Sequence, residues 1–137
     1  MLEAREIKQR ILREIPSLLP NLIVGKIEVN KRFYGKIFDL AFRIKTQNRR
    51  ERFLVCEIKQ FLQPRMAREA SARFKEKITN LDRVYPVLIT TFLGERTREI
   101  FKKEGIGYLD LAGNCFLKFN NIYIEKIVNK NPFVEEK

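Results

Sequence analysis

One stretch near the middle of the chain, residues 85–92, constrains the fold more than any other. It reads YPVLITTF and carries no charged residue. A strand buried on both faces has this nearly continuous apolar character, whereas a strand with one wet face alternates apolar and polar residues. The chain must therefore cover both faces of this strand.

Three segments carry apolar residues at helical spacing, and they are residues 2–15, 65–79 and 95–104. We expect the first helix to end at Pro16, because proline lacks the N–H that would continue it. The third is expected to stop at Gly105, a natural residue for the end of a helix.

Strand patterns fill most of the remaining chain. Residues 21–30, 34–45 and 52–60 alternate with a period of two, and residues 106–113, 115–119 and 121–128 continue the series. In the second strand one face is predicted to carry Phe38, Leu40, Phe42 and Ile44. The second and third strands are expected to form a hairpin. The order of elements predicts a mixed α/β domain over residues 1–130, with a patternless and flexible tail at 131–137.

The charge balance points to a polyanionic partner. The 137 residues include 28 Lys and Arg against 17 Asp and Glu, which gives a net charge of +11. A basic excess of this size attracts DNA or RNA, although a basic surface also serves solubility alone. No stretch approaches the roughly 20 apolar residues of a membrane span, so no membrane partner is expected.

Two residue counts limit the chemistry. The chain has no His, which excludes Ser-His and Cys-His nucleophile pairs and zinc sites built on His. Its two cysteines, Cys56 and Cys115, both lie in apolar strands and are interpreted as buried core residues, which fits a reducing cytoplasm. Any catalysis must use carboxylates, Lys, Arg or Tyr.

Three charged residues interrupt the two strands of the expected hairpin. Asp39 lies in the first strand, and Glu57 and Lys59 lie on one side of the second. Burying an unpaired carboxylate costs several kcal/mol, roughly, or raises its pKa, so such residues have a compensating cation, a metal ion or a solvated cleft. The pattern therefore predicts something that neutralises Asp39 and Glu57.

This arrangement resembles the PD-(D/E)XK nuclease superfamily. The matching residues are Phe38-Asp39 and Glu57-Ile58-Lys59, with Phe38 in place of the family's proline. The resemblance covers about residues 2–91 and implies a restriction-endonuclease-like core of a helix, a three-strand meander, a helix and a strand. An additional C-terminal helix and β-hairpin would follow that core.

The resemblance also implies roles for individual residues. Asp39, Glu57 and the Ile58 carbonyl would hold Mg²⁺ or Mn²⁺, and Lys59 would orient or activate the attacking water. Oxygen ligands suit Mg²⁺, and an ammonium beside the phosphate stabilises developing charge. A carboxylate on the first helix would complete the site, with Glu14 the first candidate and Glu3 the second. Gln60 would contact phosphate.

A simpler interpretation of the same residues stays open. Asp39, Glu57 and Lys59 could form a cross-strand ion pair on a solvated sheet face, worth about 0.2 to 1 kcal/mol. The apolar residues Ile37, Ala41 and Val55 favour a covered face and hence the metal site.

Further cations accompany this segment. The candidates for contacting a DNA backbone are Arg49, Arg50, Arg65, Arg68 and Lys75. Taken singly, each is equally well explained as part of a solvated face that carries pairs such as Glu69 with Arg73.

A second resemblance lies downstream, over Gly105 to Asn114, which reads GIGYLDLAGN. This string is similar to the segment that follows the nuclease-like core in type IV abortive-infection antitoxins and related transcriptional regulators. Structurally, Gly113-Asn114 is a turn signal that Asp110 could cap.

Two functions follow from these observations. The first is a Mg²⁺-dependent nuclease that hydrolyses DNA phosphodiester bonds and is expected to act as a homodimer if it cuts both strands. The second is a noncatalytic nuclease-like module that binds DNA or a partner protein in a toxin–antitoxin or phage-defence regulator. The intact D…ExK pattern favours the first function, and the downstream string favours the second.

Overall fold

The computed structural model describes residues 2–48, 50–119 and 122–133 of the chain. The three helices are α1 (Ala4–Leu18), α2 (Pro64–Ile78) and α3 (Glu95–Glu104). The strands are β1 (Ile23–Val24), β2 (Glu28–Phe33), β3 (Lys36–Lys45), β4 (Glu51–Ile58), β5 (Val84–Thr90), β6 (Gly107–Asp110), β7 (Cys115–Phe119) and β8 (Ile122–Lys126).

All eight strands join one mixed sheet. Its order is β1-β3-β4-β5-β6-β7-β8, and β2 pairs with β3 beside β1. The strands β4, β5 and β6 are parallel, and every other pair is antiparallel. Helices α2 and α3 make the two parallel crossovers, as parallel neighbours require. The predicted β3–β4 hairpin is confirmed.

Helices cover both faces of the sheet. On one face, Ile7, Ile11 and Ile15 of α1 pack in a cluster with alternate residues of the central strands. On the other face, Phe74 of α2 and Phe101 of α3 pack in a second cluster. The strand β5 lies between these layers and is buried along nearly its whole length. The predicted α/β class and the element order of a restriction-endonuclease-like core are confirmed.

The first helix runs beyond its predicted end. Pro16 lies inside α1, which continues to Leu18. The Leu19 N–H donates to the Ile15 carbonyl at 3.1 Å, and Leu18 and Leu19 are buried with the α1 cluster. The burial of two leucines outweighs the single backbone hydrogen bond that Pro16 cannot make.

The strand predicted over residues 21–30 is two strands. Val24 pairs with Ile44 and Glu28 pairs with Ala41, so three residues oppose two between these pairs. The Gly25 N–H donates to the Arg43 carbonyl at 2.8 Å within this interval. The extra residue is a bulge, which divides β1 from β2 and bends the edge of the sheet.

The face predicted for Phe38 is wrong. Leu40, Phe42 and Ile44 belong to the α1 cluster as expected, but Phe38 packs in the α2–α3 cluster, where its ring lies 6.3 Å from that of Phe74. The paired register of β3 and β4 reaches only as far as Leu40 with Cys56. On the N-terminal side of Leu40, therefore, the residues of β3 no longer alternate between the two faces as the sequence pattern predicted.

The β2–β3 hairpin curls across the α2 face of the sheet. In a flat sheet Phe33, which pairs with Lys36, would lie beyond the C-terminal end of β4. Its ring instead stacks on Phe53 near the start of β4, with ring centres 5.2 Å apart. The curl brings the hairpin tip beside the C-terminal half of α2, where the Lys36 ammonium donates to the Lys77 carbonyl.

Candidate active site

Asp39 lies where the β3 backbone separates from β4. Its carboxylate Oδ2 accepts a hydrogen bond from the Ile58 N–H at 2.7 Å, in place of the carbonyl that a regular ladder would supply. One backbone donor leaves most of the acceptor capacity of this carboxylate unused. The break in the ladder therefore places a carboxylate against the C-terminal end of β4.

Glu57 points to the α2 side of the sheet, as the alternation of β4 predicted. Its side chain is 18% exposed and forms an ion pair with the Lys77 ammonium of α2. Burial raises the pKa of Glu57, Lys77 opposes that rise, and the neighbouring Asp39 carboxylate adds to it. Asp39 accepts a hydrogen bond from the N–H of the residue after Glu57, so the two carboxylates are close.

The backbone at Ile58 completes this group of oxygen atoms. The N–H and C=O of one residue in a strand point to the same neighbour, and the Ile58 N–H donates to Asp39. The Ile58 carbonyl is thus directed to the same side as the Asp39 carboxylate. The next N–H, of Lys59, points the opposite way and donates to the Ile89 carbonyl at 2.8 Å.

Glu57 and Lys59 open onto a cavity of about 350 Å³ between β4 and α2. Its other walls are Leu62, Met66, Glu69, Ala70, Arg73, Phe74, Lys77 and Leu88. The face predicted to be covered is covered only in part, since Ala41 and Val55 are buried but Ile37 and Lys59 are exposed. Glu57 therefore lies at a boundary between core and solvent.

The donor set fits a hard divalent cation. Two adjacent carboxylates and one carbonyl match the oxygen ligands that Mg²⁺ prefers, and the cavity leaves room for water to complete the coordination. Across the described ranges, no group of three Asp, Glu or Cys side chains is arranged to hold a metal ion. A metal at this position would depend on two carboxylates rather than three.

Neither α1 candidate joins this pair within the described part of the chain. Glu14 is absent from the walls of the cavity beside Glu57. Glu3 is occupied in the capping box that begins α1, where its side chain accepts from the backbone of Glu6. No contact among the described residues therefore supports the prediction that α1 supplies a third carboxylate to the site.

Gln60 opens onto a different cavity from Glu57. It shares a space of about 470 Å³ with Arg10 of α1, with Leu2, which precedes that helix, and with Phe133 near the C-terminal end of the described residues. The side chain is exposed near the start of the loop that leaves β4. Gln60 is therefore adjacent to Lys59 in sequence but lies on another surface.

The described candidates for phosphate contact lie in two parts of the fold, on α2 and just before β4. Arg65 and Arg68 line a cavity of about 660 Å³ between the first turns of α2 and α3. Lys75 pairs with Glu104 of α3 at 2.5 Å. Arg50 precedes β4 and is seven residues from Glu57, roughly 23 Å along an extended strand. Arg49 lies outside the described residues.

Lys77 of α2 belongs to the site, although the sequence analysis did not single it out. Its ammonium contacts the Glu57 carboxylate and the Ile37 carbonyl, and it lies 4.4 Å from the centre of the Phe38 ring. The sequence did contain a signal for this position of Lys77. It follows Phe74 by three residues and Ala70 by seven, so it lies on the side of α2 that faces the sheet.

The Gly105 to Asn114 segment is organised around Asp110, as the turn interpretation predicted. Asp110 Oδ1 accepts backbone hydrogen bonds from Ala112, Gly113 and Asn114 at 2.8 to 3.0 Å. Its Oδ2 accepts from the Leu93 N–H at 2.8 Å and the Asn114 side-chain amide at 2.7 Å. Burial raises the pKa of Asp110, and these donors oppose the rise.

Glycines in this segment have structural roles. Gly105 ends α3 with a φ of 75°, and Gly107 has no room for a side chain, since a Cβ there would lie 2.7 Å from the Tyr85 ring. The same string thus specifies a helix end, a close strand contact and a capped loop.

Solved structures similar to this chain include nucleases. A repair endonuclease from Pyrococcus abyssi superposes with a TM-score of 0.52 at 18% identity, over 81% of this chain and 48% of that one. EndoMS in its apo form gives a TM-score of 0.49 at 16% identity, over 81% and 47% of the two chains. EndoMS bound to double-stranded DNA gives 0.46 at 16%, over 81% and 46%.

The similarity to the Pyrococcus abyssi repair endonuclease, at 18% identity, establishes the fold alone. This chain spans about half the length of the solved structures named here. No protein-family model and no curated protein sequence matches it. Among the helices of the described residues, none is long and apolar enough to cross a membrane.

Proposed function

We propose that this domain is a metal-dependent nuclease that hydrolyses DNA phosphodiester bonds with Asp39, Glu57 and Lys59. The observation that carries the proposal is the convergence of two carboxylates and a carbonyl at the C-terminal end of β4, beside an open cavity and an exposed lysine. The fold shared with the Pyrococcus abyssi repair endonuclease makes phosphodiester hydrolysis the reaction class to test first.

The residues divide the work by their chemistry. Asp39, Glu57 and the Ile58 carbonyl would hold Mg²⁺ or Mn²⁺. A bound metal supplies polarisation of the phosphate and a more acidic water. Lys59, exposed at the mouth of the cavity, orients the attacking water and stabilises the charge that develops on the phosphate oxygens. The water oxygen bonds to phosphorus and gives up one proton to solvent, the bond to the leaving oxygen breaks, and that oxygen takes a proton from solvent.

Lys77 holds Glu57 before the metal arrives. Its ammonium occupies the carboxylate that would hold a metal, so Lys77 would have to leave Glu57 for that carboxylate to act as a ligand. The released ammonium remains beside the cavity, of which Lys77 forms part of the wall. It then adds a positive charge where a phosphate would bind.

A second function has its own support. The Glu57–Lys77 ion pair neutralises Glu57 without a metal, which suits a domain that binds DNA or a partner protein and cuts nothing. The resemblance of residues 105–114 to antitoxin-like regulators belongs to this alternative, in which the domain serves a toxin–antitoxin or phage-defence system.

Plasmid nicking separates the two functions. Purified protein is incubated with supercoiled plasmid at low salt in Mg²⁺, Mn²⁺, Ca²⁺ or EDTA, beside the variants Glu57→Gln and Lys59→Ala. The control is Glu104→Gln, which removes an equal charge at the Lys75 pair on α3. We expect nicking in Mg²⁺ or Mn²⁺ that both site variants reduce by about 100-fold or more and the control leaves intact.

Other outcomes assign the remaining functions. A salt-sensitive gel shift without cleavage in any metal favours the noncatalytic module. The absence of both cleavage and a gel shift would contradict the nuclease and the DNA-binding module, and would leave only a module that binds a partner protein. Sedimentation of the same preparation tests the homodimer that cutting of both strands would require.

A further inference from the structure

We propose that the tip of the β2–β3 hairpin is a nucleobase-stacking element, and that Tyr34 is the side chain that stacks on a base of bound DNA. The proposal rests on DNA binding by this domain and adds a residue that contacts bases rather than phosphates. It does not depend on catalysis.

Tyr34 presents a rigid aromatic surface to solvent. Its side chain is 82% exposed, the largest value among the exposed apolar residues of the described chain. The ring meets the Phe33 ring edge-on at 4.9 Å, and Phe33 in turn stacks on Phe53 at 5.2 Å. The packing on Phe33 restricts the Tyr34 ring, so stacking on a base would cost little conformational entropy.

The turn that carries Tyr34 disfavours a tyrosine. Tyr34 and Gly35 have φ values of 50° and 80° and connect Phe33 to Lys36. A two-residue turn with two positive φ angles favours Asn-Gly, whereas an aromatic residue at the first position is strained. A residue that breaks a local rule while exposing most of its surface indicates a use outside folding.

The charge around the tip suits a polyanion. Lys31, Arg32 and Lys36 flank the aromatic pair in the sequence KRFYGK, which contains no acid. Stacking aromatics among cations are the usual means of binding unpaired nucleotides.

The tip is also joined to the candidate active site. The Lys36 ammonium donates to the Lys77 carbonyl, and the Lys77 ammonium contacts both Glu57 and the Ile37 carbonyl. Lys77 thus contacts both the hairpin and Glu57, so the two are linked through a single residue. A strand held at the site would pass within reach of the tip, where Tyr34 would contact a base exposed by local unpairing.

A binding assay with a fluorescent base tests the proposal. A single-stranded DNA oligonucleotide and its duplex, each containing 2-aminopurine, are titrated with protein in EDTA, so that no cleavage occurs. The variants are Tyr34→Asn, which suits the turn, and Tyr34→Phe, which keeps the ring. Tyr123→Asn is the control, because Tyr123 is an exposed tyrosine on β8, at the opposite edge of the sheet.

We expect Tyr34→Asn to weaken single-strand binding by about 5- to 150-fold, the range that alanine substitution of a stacking aromatic gives. The affinity of Tyr34→Phe for the single strand should stay within about twofold of the wild-type affinity. The affinity of Tyr123→Asn should equal that of the wild type. The 2-aminopurine emission at saturation should be more strongly quenched by the wild type than by Tyr34→Asn. Thermal melts should place Tyr34→Asn at or above the wild type in stability, since Asn favours this turn.

The two proposals fail in different ways. Unchanged single-strand affinity and quenching in Tyr34→Asn would overturn the stacking proposal, and metal-dependent nicking by the same variant would leave the nuclease proposal standing. Absence of DNA binding by the wild type would overturn both.

Discussion

Asp110 and Glu57 are both acids in apolar strands of this sheet, but their surroundings differ. Asp110 is fully buried and accepts five hydrogen bonds, four of them from backbone N–H groups. Glu57 is 18% exposed, borders an open cavity, and is held by one lysine side chain.

The difference between the two lies in the mobility of the partners. Backbone donors cannot leave Asp110 without unfolding its loop, so that carboxylate is part of the architecture. A lysine side chain can leave Glu57 by changing rotamer, so this carboxylate is available to a metal ion or a proton. A partly buried acid with a replaceable partner, such as Glu57, is therefore the better functional candidate.

The largest expected effect comes from replacing each acid by its amide. Asp110→Asn would place an amide group toward two donors, the Leu93 N–H and the Asn114 side chain, and should lower the free energy of unfolding by about 3 kcal/mol. Glu57→Gln should change stability by less than about 1 kcal/mol at neutral pH. Urea denaturation of both variants measures the contrast.

Equal losses of stability in the two variants would contradict this contrast. Asn114→Ala provides a further check, because its amide links Asp110 to the Val128 backbone at both N–H and carbonyl. It should destabilise the domain without altering metal binding.

Removal of Lys77 should sharpen the contrast at Glu57. Lys77→Met deletes the cation that competes for the carboxylate, so we expect Mn²⁺ to bind about fivefold more tightly, which corresponds to an ion pair of about 1 kcal/mol. Titration calorimetry at pH 8 measures this affinity. The matched control is Lys75→Met, on the same helix but paired with Glu104. Weaker Mn²⁺ binding in Lys77→Met than in the control would show that Lys77 supports the site.

The pH dependence of stability should also reveal Glu57. Burial raises its pKa above the usual 4.5, so the folded state holds this proton more tightly than the unfolded state. The contribution of Glu57 to stability is complete below pH 4.5 and is lost as the pH rises through the folded-state pKa. The stability of Glu57→Gln relative to the wild type should therefore increase from pH 4 to pH 8, roughly the span over which a carboxyl with a raised pKa ionises.

Urea denaturation of the two proteins at several pH values measures this difference. A constant difference across the range would mean that the Glu57 pKa is the same in the folded and unfolded states. Addition of Mn²⁺ should raise the melting temperature of the wild type and leave that of Glu57→Gln unchanged.

The smallest expected effect comes from replacing one arginine near Glu57 and one near Asp110 and comparing their DNA binding and stability. Arg73 is exposed on the wall of the Glu57 cavity, whereas Arg98 is buried and donates to the Leu93 carbonyl at 2.7 Å. Arg73→Gln should reduce the salt slope of DNA binding by about 0.9, the value for one phosphate contact, without changing stability. Arg98→Gln should lower stability and leave the slope unchanged, and the reverse pattern would contradict this assignment.

Much of the fold could be predicted because the elements are strongly periodic. The apolar run of β5, the stripe of α2 and the end of α3 at Gly105 lie where the pattern placed them. The predictions that failed involve compensation between elements. Two buried leucines extend α1 past Pro16, and a bulge near Gly25 divides a segment that the sequence pattern predicts as one strand.

In the candidate site too, local features could be predicted from the sequence and contacts between distant elements could not. Asp39, Glu57 and Lys59 were recognisable because charges in apolar strands need partners, and that requirement is a local property of the sequence. The identity of the partner is not local, because Lys77 reaches Glu57 only through the packing of α2 against a curled hairpin. The sequence alone determined the layered α/β class and the acids that need neutralising. The tertiary structure decided which acid the backbone holds and which one a movable side chain leaves available, because that choice depends on where distant elements meet.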